Sequence, residues 1–96
     1  MVAGLTDLLL SGRRGDQQAY RVLVRRFHAH ACDLARALVR DDHLAEDVVQ
    51  AAFLTAFLRL PDLRESAAFP GWFRQIVRTE ANRITRRRNE GTDASV

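Results

Sequence analysis

Tyr20, Leu23, Phe27, Ala31, Leu34 and Leu38 recur at spacings of three and four, the repeat of one face of an α-helix. The spacing predicts a long helix over residues 16–40, with Asp16 as its N-cap. Asp41-Asp42 breaks the repeat, and Asp42 can cap a second long helix over residues 43–60. In that helix Leu44, Val48, Ala52 and Thr55 line one side, with Val49, Phe53, Ala56, Phe57 and Leu60 beside them. An apolar arc so wide does not suit a helix with one neighbour, so this helix is expected at the centre of the fold. Only Glu46, Asp47 and Gln50 give it a polar edge, at its N-terminal end.

Pro61 stops the second helix, and residues 61–66 read as a loop. Ser66 or a neighbour starts the last helix, with Pro70 in the first turn, where its missing N–H costs little. Phe69, Trp72, Phe73, Ile76, Val77, Ala81 and Ile84 form its apolar face. Gln75, Thr79, Asn82, Arg83 and Arg86 lie roughly opposite, flanked by Arg74 and Arg78. Residues 6–12 add a short apolar turn or helix, ended by Gly-Arg-Arg-Gly. The β-branched residues are scattered and never alternate over a run, so no strand competes. The expected fold is all-α, a compact bundle of three long helices plus a short N-terminal one. One domain is expected over residues 1–88, with residues 89–96 as a linker or disordered tail.

The charge is unevenly placed. All fifteen basic residues are Arg, a bias that a GC-rich genome would give whatever the function, and the net charge is only +3. Yet six of those Arg stand between Phe69 and Arg88, against the single acid Glu80. A planar guanidinium fork suits phosphates and base edges. No apolar run is long enough to span a bilayer. The start lacks the marks of a signal peptide, so a cytoplasmic location with no membrane partner is expected. Cys32 is the only cysteine and excludes an internal disulfide. His28 and Cys32 share a helix face, but His30 points away, and two ligands do not close a tetrahedral metal site. Neither a nucleophile–base pair nor a glycine-rich phosphate loop is present. No catalytic residue, metal or cofactor is expected.

Three blocks occur in order. They are Gly15-Asp16-Gln17-Gln18-Ala19-Tyr20-Arg21-Val22-Leu23, then Ala45-Glu46-Asp47-Val48-Val49-Gln50-Ala51-Ala52-Phe53-Leu54, then Phe69-Pro70-Gly71-Trp72-Phe73-Arg74-Gln75-Ile76-Val77-Arg78, the last followed by Arg86-Arg87-Arg88. Together they resemble region 2 of extracytoplasmic-function (ECF) sigma factors, over residues 14–88. The resemblance implies a helical domain that docks on the clamp helices of the RNA polymerase β′ subunit and captures the promoter minus-ten element as the duplex opens. It implies Glu46, Asp47 and Gln50 as the polymerase-binding edge. The DNA candidates are Trp72, Gln75, Thr79 and Asn82, with Arg64, Arg74, Arg78, Arg83, Arg86 and Arg87 to neutralise phosphates. Trp72-Phe73-Arg74-Gln75 is similar to the W-x-R-Q of housekeeping sigma factors, and the loop 61–68 resembles the family's specificity loop, which helps to enclose the flipped base.

Three positions depart from the family pattern. Ala51 stands where Glu is usual, Thr79 where Asn is common, and Arg83 where Asp is common. Thr cannot present the paired donor and acceptor of an amide. Thr79 in place of the pocket Asn keeps a second reading open, a reduced sigma-like module that binds polymerase or an anti-sigma factor without promoter selectivity. The helix-turn-helix part that reads the minus-thirty-five element in full-length members is not in the sequence. The stretch after Arg88 is where a linker to it is expected.

Overall fold

The computed structural model of the protein describes residues 9, 10, 12 and 14–94, with side chains as far as Asn89. Three long helices carry the fold: α1 (Gln17–Val39), α2 (Asp42–Arg59) and α3 (Phe69–Ala94). Each packs against both others, and no strand occurs among the described residues. Leu9, Leu10 and Gly12 are helical, and the rest of the predicted N-terminal turn lies outside the described residues. Leu9 is buried in the common core.

The start of α1 follows from its sequence. Gly15 takes φ +85°, a conformation that glycine adopts without steric cost. Asp16 then caps the helix, its carboxylate accepting from the N–H groups of Gln18 and Ala19 at 3.0 and 3.2 Å. Leu23, Ala31 and Ala35 are buried, with Tyr20, Phe27 and Leu34 half-buried beside them. Leu38 departs from the predicted stripe, being 43% exposed. A three-four repeat drifts by about 20° per heptad on a straight helix, so by the last turn Ala35 and Val39 face the core instead.

The cap of α2 is Asp41, one residue before the predicted Asp42. Asp41 is extended and accepts from the Leu44 N–H at 3.1 Å, whereas Asp42 is already helical. Arg40, just before it, closes α1 in the left-handed region at φ 53°. As its apolar arc predicts, α2 is central. Val48, Ala52 and Ala56 are fully buried, and Ala45, Val49 and Phe53 nearly so. The small residues let both neighbouring helices approach closely. On its solvent side α2 exposes Leu54 and Leu58.

Leu60–Asp62 and Ser66–Ala68 form single 3-10 turns in the connection to α3. Leu60 and Leu63 are buried and hold this connection to the core. Pro70 lies in the first turn of α3. The helix then runs past Arg88, its predicted end, to Ala94. Gly91 costs a helix at most about 1 kcal/mol relative to Ala, and no proline follows to block it.

Aromatic rings fill the space between the helices. Phe27 of α1 meets Phe69 at a centroid distance of 5.0 Å, Phe53 of α2 meets Phe73 at 4.8 Å, and Phe69 and Phe73 stack at 5.6 Å. Near one end, Tyr20 packs on Phe57 and its hydroxyl donates to the Phe53 carbonyl. Burial pushes the Tyr20 phenol well above its ordinary pKa, because the ionised form is poorly solvated there. No described helix is long and apolar enough to cross a membrane.

Candidate polymerase and nucleic-acid surfaces

The polar edge of α2 lies at its N-terminal end, where Ala45, Val48 and Val49 are drawn into the core and the residues between them turn outward. Glu46, Asp47 and Gln50 are all exposed. Glu46 and Gln50 border a groove of about 310 Å³ between α1 and α2, shared with His28, Cys32, Arg36 and Val49. Asp47 is exposed outside that groove. A carboxylate and an amide on adjacent turns can accept from and donate to a partner helix, most strongly an Arg-bearing one. In the same groove the Cys32 sulfur lies 3.7 Å from His28 Nδ1, and the His28 ring stacks over Phe53 at 6.4 Å. Among the described residues no cluster of three or more His, Cys, Asp or Glu is placed to hold a metal.

On α3 the apolar and polar faces separate as predicted. Phe69, Phe73, Ile76, Val77 and Ala81 are buried, and Gln75, Thr79, Asn82, Arg83 and Arg86 are exposed. Arg74, Arg78 and Arg87 are exposed as well. Trp72 takes part in both faces. It is half-buried against Phe69 at 5.9 Å, and its other side lines a cavity of about 170 Å³ between α2 and α3. Gln75, Ile76, Thr79 and Glu80 of α3 line the same cavity, with Thr55 and Arg59 of α2 opposite. The cavity combines an aromatic ring with an amide, hydroxyls, a carboxylate and a guanidinium. Such a set can stack a base and address its edge.

A second groove, of about 320 Å³, continues along α3 between Thr79, Asn82, Arg83 and Arg86. Six of the ten predicted DNA residues therefore line the two recesses: Trp72, Gln75 and Thr79 in the cavity, and Asn82, Arg83 and Arg86 along the groove, with Thr79 common to both. Arg74, Arg78 and Arg87 are exposed on the same helix but line neither recess, and Arg64 is exposed in the connection between the two 3-10 turns.

Three residues around the cavity were not singled out from the sequence: Thr55, Arg59 and Glu80. Glu80 is only 6% exposed. Its Oε1 accepts from the Thr55 hydroxyl at 3.0 Å, and its Oε2 accepts from Arg83 Nε and Nη2 at 2.9 and 2.6 Å. A signal was there to be read. Glu80 sits four residues from both Ile76 and Ile84, so it interrupts the apolar stripe, where a charged side chain needs a partner. At the far end of the face, Arg88 Nη1 donates to Asp41 Oδ2 at 3.0 Å. The Leu44 N–H and then Arg88 hold the Asp41 carboxyl below its ordinary pKa.

Residues 23–90 match the family model of sigma-70 region 2. The chain is 42% identical over 67 residues to a probable RNA polymerase sigma factor, RfaY, of Xanthomonas campestris pathovar campestris, covering 70% of this chain and 17% of that one. It is 32% identical over 85 residues to the RNA polymerase sigma-H factor of Pseudomonas aeruginosa, covering 88% of this chain and 44% of the relative. It is 37% identical over 81 residues to the ECF RNA polymerase sigma-E factor of Escherichia coli, covering 81% and 42%. The chain belongs to the sigma-70 family, as a region 2 domain of the ECF type. It spans less than half the length of each of these three relatives. No solved structure matches it significantly.

Proposed function

We propose that this domain serves transcription initiation by holding two partners on two separate surfaces. The exposed edge of Glu46, Asp47 and Gln50 on α2 docks on the clamp helices of the polymerase β′ subunit. The cavity and arginine face of α3 take the single strand released at the minus-ten element. The observation that carries this reading is the cavity itself. Trp72 offers a ring for stacking, Gln75 and Thr79 stand beside it, and exposed arginines continue along the same helix. Base stacking on such a ring is worth roughly 1–3 kcal/mol, and phosphate contacts from the arginines make binding fall with salt. Gln75 can pair bidentately with adenine. A polymerase-bound or anti-sigma-bound module without promoter selectivity is the reading that competes with it.

The test is binding to a labelled library of single-stranded non-template minus-ten oligonucleotides, with and without a β′ clamp-helix fragment, across a salt series. Sequence-selective binding that Trp72→Ala and Gln75→Ala weaken, together with clamp binding that Asp47→Ala weakens, supports the proposal. Clamp binding without sequence preference supports the unselective module. Binding to neither partner sinks both.

A further inference from the structure

Glu80 is the only buried charged side chain among the described residues, and beyond lining the cavity it has no role of its own in the function proposed above. Its surroundings leave little freedom. Thr55, on the neighbouring helix, donates to one oxygen, and Arg83, one turn along α3, donates twice to the other. Arg83 itself remains about half exposed, on the rim of the groove it shares with Thr79, Asn82 and Arg86. Two of the five N–H donors of its guanidinium are committed to Glu80, which leaves three to face outward. Arg74, Arg78, Arg86 and Arg87 have no such anchor among the described side chains.

From this arrangement we infer that Glu80 is a positioning residue, which fixes the Arg83 guanidinium in the free protein so that it meets a backbone phosphate of the strand bound along α3. The inference rests on the nucleic-acid reading above. A long side chain that must be ordered on binding weakens the contact it makes. Arg83 is ordered beforehand, and its planar fork keeps the remaining donors in a set direction. Thr55 acts one step further back. It holds the carboxylate from α2, so the direction of Arg83 is tied to the packing of two helices rather than to one.

The sign of one substitution separates this role from simple charge. Glu80→Gln removes an acid from an arginine-rich face. Charge counting then predicts tighter binding to a polyanion and a steeper fall with salt. Positioning predicts weaker binding, because the freed Arg83 must be ordered by the ligand.

The experiment measures affinity for the single-stranded minus-ten library across a salt series, for the parent domain and for Glu80→Gln, Arg83→Ala, their double variant, Arg83→Lys and Thr55→Val. Glu80→Gln and Arg83→Ala should each weaken binding by roughly two- to tenfold, the scale of ordering one long side chain at an interface. The double variant should bind no more weakly than Arg83→Ala alone. Arg83→Ala should make the salt slope shallower by about one, and Arg83→Lys, which keeps the charge but loses the fork, should not restore the affinity. Thr55→Val changes no charge and should weaken binding in the same direction. It also carries the test should Glu80→Gln fail to fold, which thermal unfolding reports.

Glu80→Gln binding as tightly as the parent or more tightly overturns the inference, as does full additivity of the Glu80 and Arg83 effects. Unchanged binding by Thr55→Val overturns it too. If the parent binds no strand, or Trp72→Ala and Arg86→Ala leave binding untouched, the nucleic-acid reading itself fails, and this inference with it.

Discussion

Arg88, near the far end of the described part of α3, hydrogen-bonds the carboxylate that caps α2, Asp41, at 3.0 Å. One oxygen of that carboxylate serves the cap and the other serves the ion pair. Both favour the charged form, so the folded protein holds the Asp41 pKa below its unfolded value. The contribution to stability is therefore whole above the unfolded value near 3.8 and is lost as pH falls through the lowered folded value. Asp41→Asn keeps a capping side chain but cannot titrate. Urea unfolding followed from neutral pH down to about pH 3 should show a shallower acid decline in Asp41→Asn than in the parent. An identical decline in both would show that other carboxylates set it.

Arg40 offers the opposite case, a residue that its backbone does not suit. It closes α1 at φ 53°, where a Cβ is crowded. Arg40→Gly should remove that strain and lose part of the gain to greater freedom in the unfolded chain, for a net stabilisation of about 0.5–1 kcal/mol. Chemical denaturation reads this as a higher midpoint at unchanged slope. A lower midpoint would mean that contacts of the Arg40 side chain outweigh the backbone strain.

Phe73 touches the rings of Phe27, Phe53 and Phe69 and so joins all three helices. Phe73→Ala should cost about 3–5 kcal/mol, a large part of the stability of a domain this small. Leu58→Gln, on a side chain 69% exposed, should stay within about 0.5 kcal/mol of the parent. Circular dichroism during thermal unfolding distinguishes the two directly.

The proposed polymerase edge and the proposed nucleic-acid cavity share no lining residue. The effects of Asp47→Ala and Trp72→Ala on assembly of domain, clamp fragment and oligonucleotide should therefore add to within about 0.5 kcal/mol. A larger deviation, in isothermal titration of the double variant against both singles, would show that one surface senses the other.

The helices were legible because their signals are local. Asp16, Pro61 and Pro70 act on their own neighbours, and the wide apolar arc of α2 announces two packing partners. The exceptions have physical causes. Leu38 reads as core in a three-four repeat, but the repeat drifts off the face it began on. Asp41 and Asp42 are equivalent to any rule of composition, and only the backbone path between α1 and α2 chooses between them. Asn89 and Gly91 suggest an end to α3 that nothing enforces. At the candidate surfaces, the exposed faces followed from periodicity. The cavity did not, because Thr55 and Arg59 join it from another helix through tertiary packing. Glu80 was visible as an acid in an apolar stripe, but its partners Thr55 and Arg83 are a matter of which helices meet.

The two proposed surfaces use different residues of α2, Glu46, Asp47 and Gln50 near its start and Thr55 and Arg59 near its end, and this bears on how such a domain changes over generations. A substitution along the outer side of α3 leaves the outward edge of α2 as it was, and the reverse holds too, since the core between them is built from other side chains. On the proposed reading, a lineage can then acquire a new taste in DNA one residue at a time while continuing to fit the same machine. Of the three positions that depart from the family pattern, Thr79 and Arg83 lie on that outer side, and Ala51 lies on α2 beside Gln50.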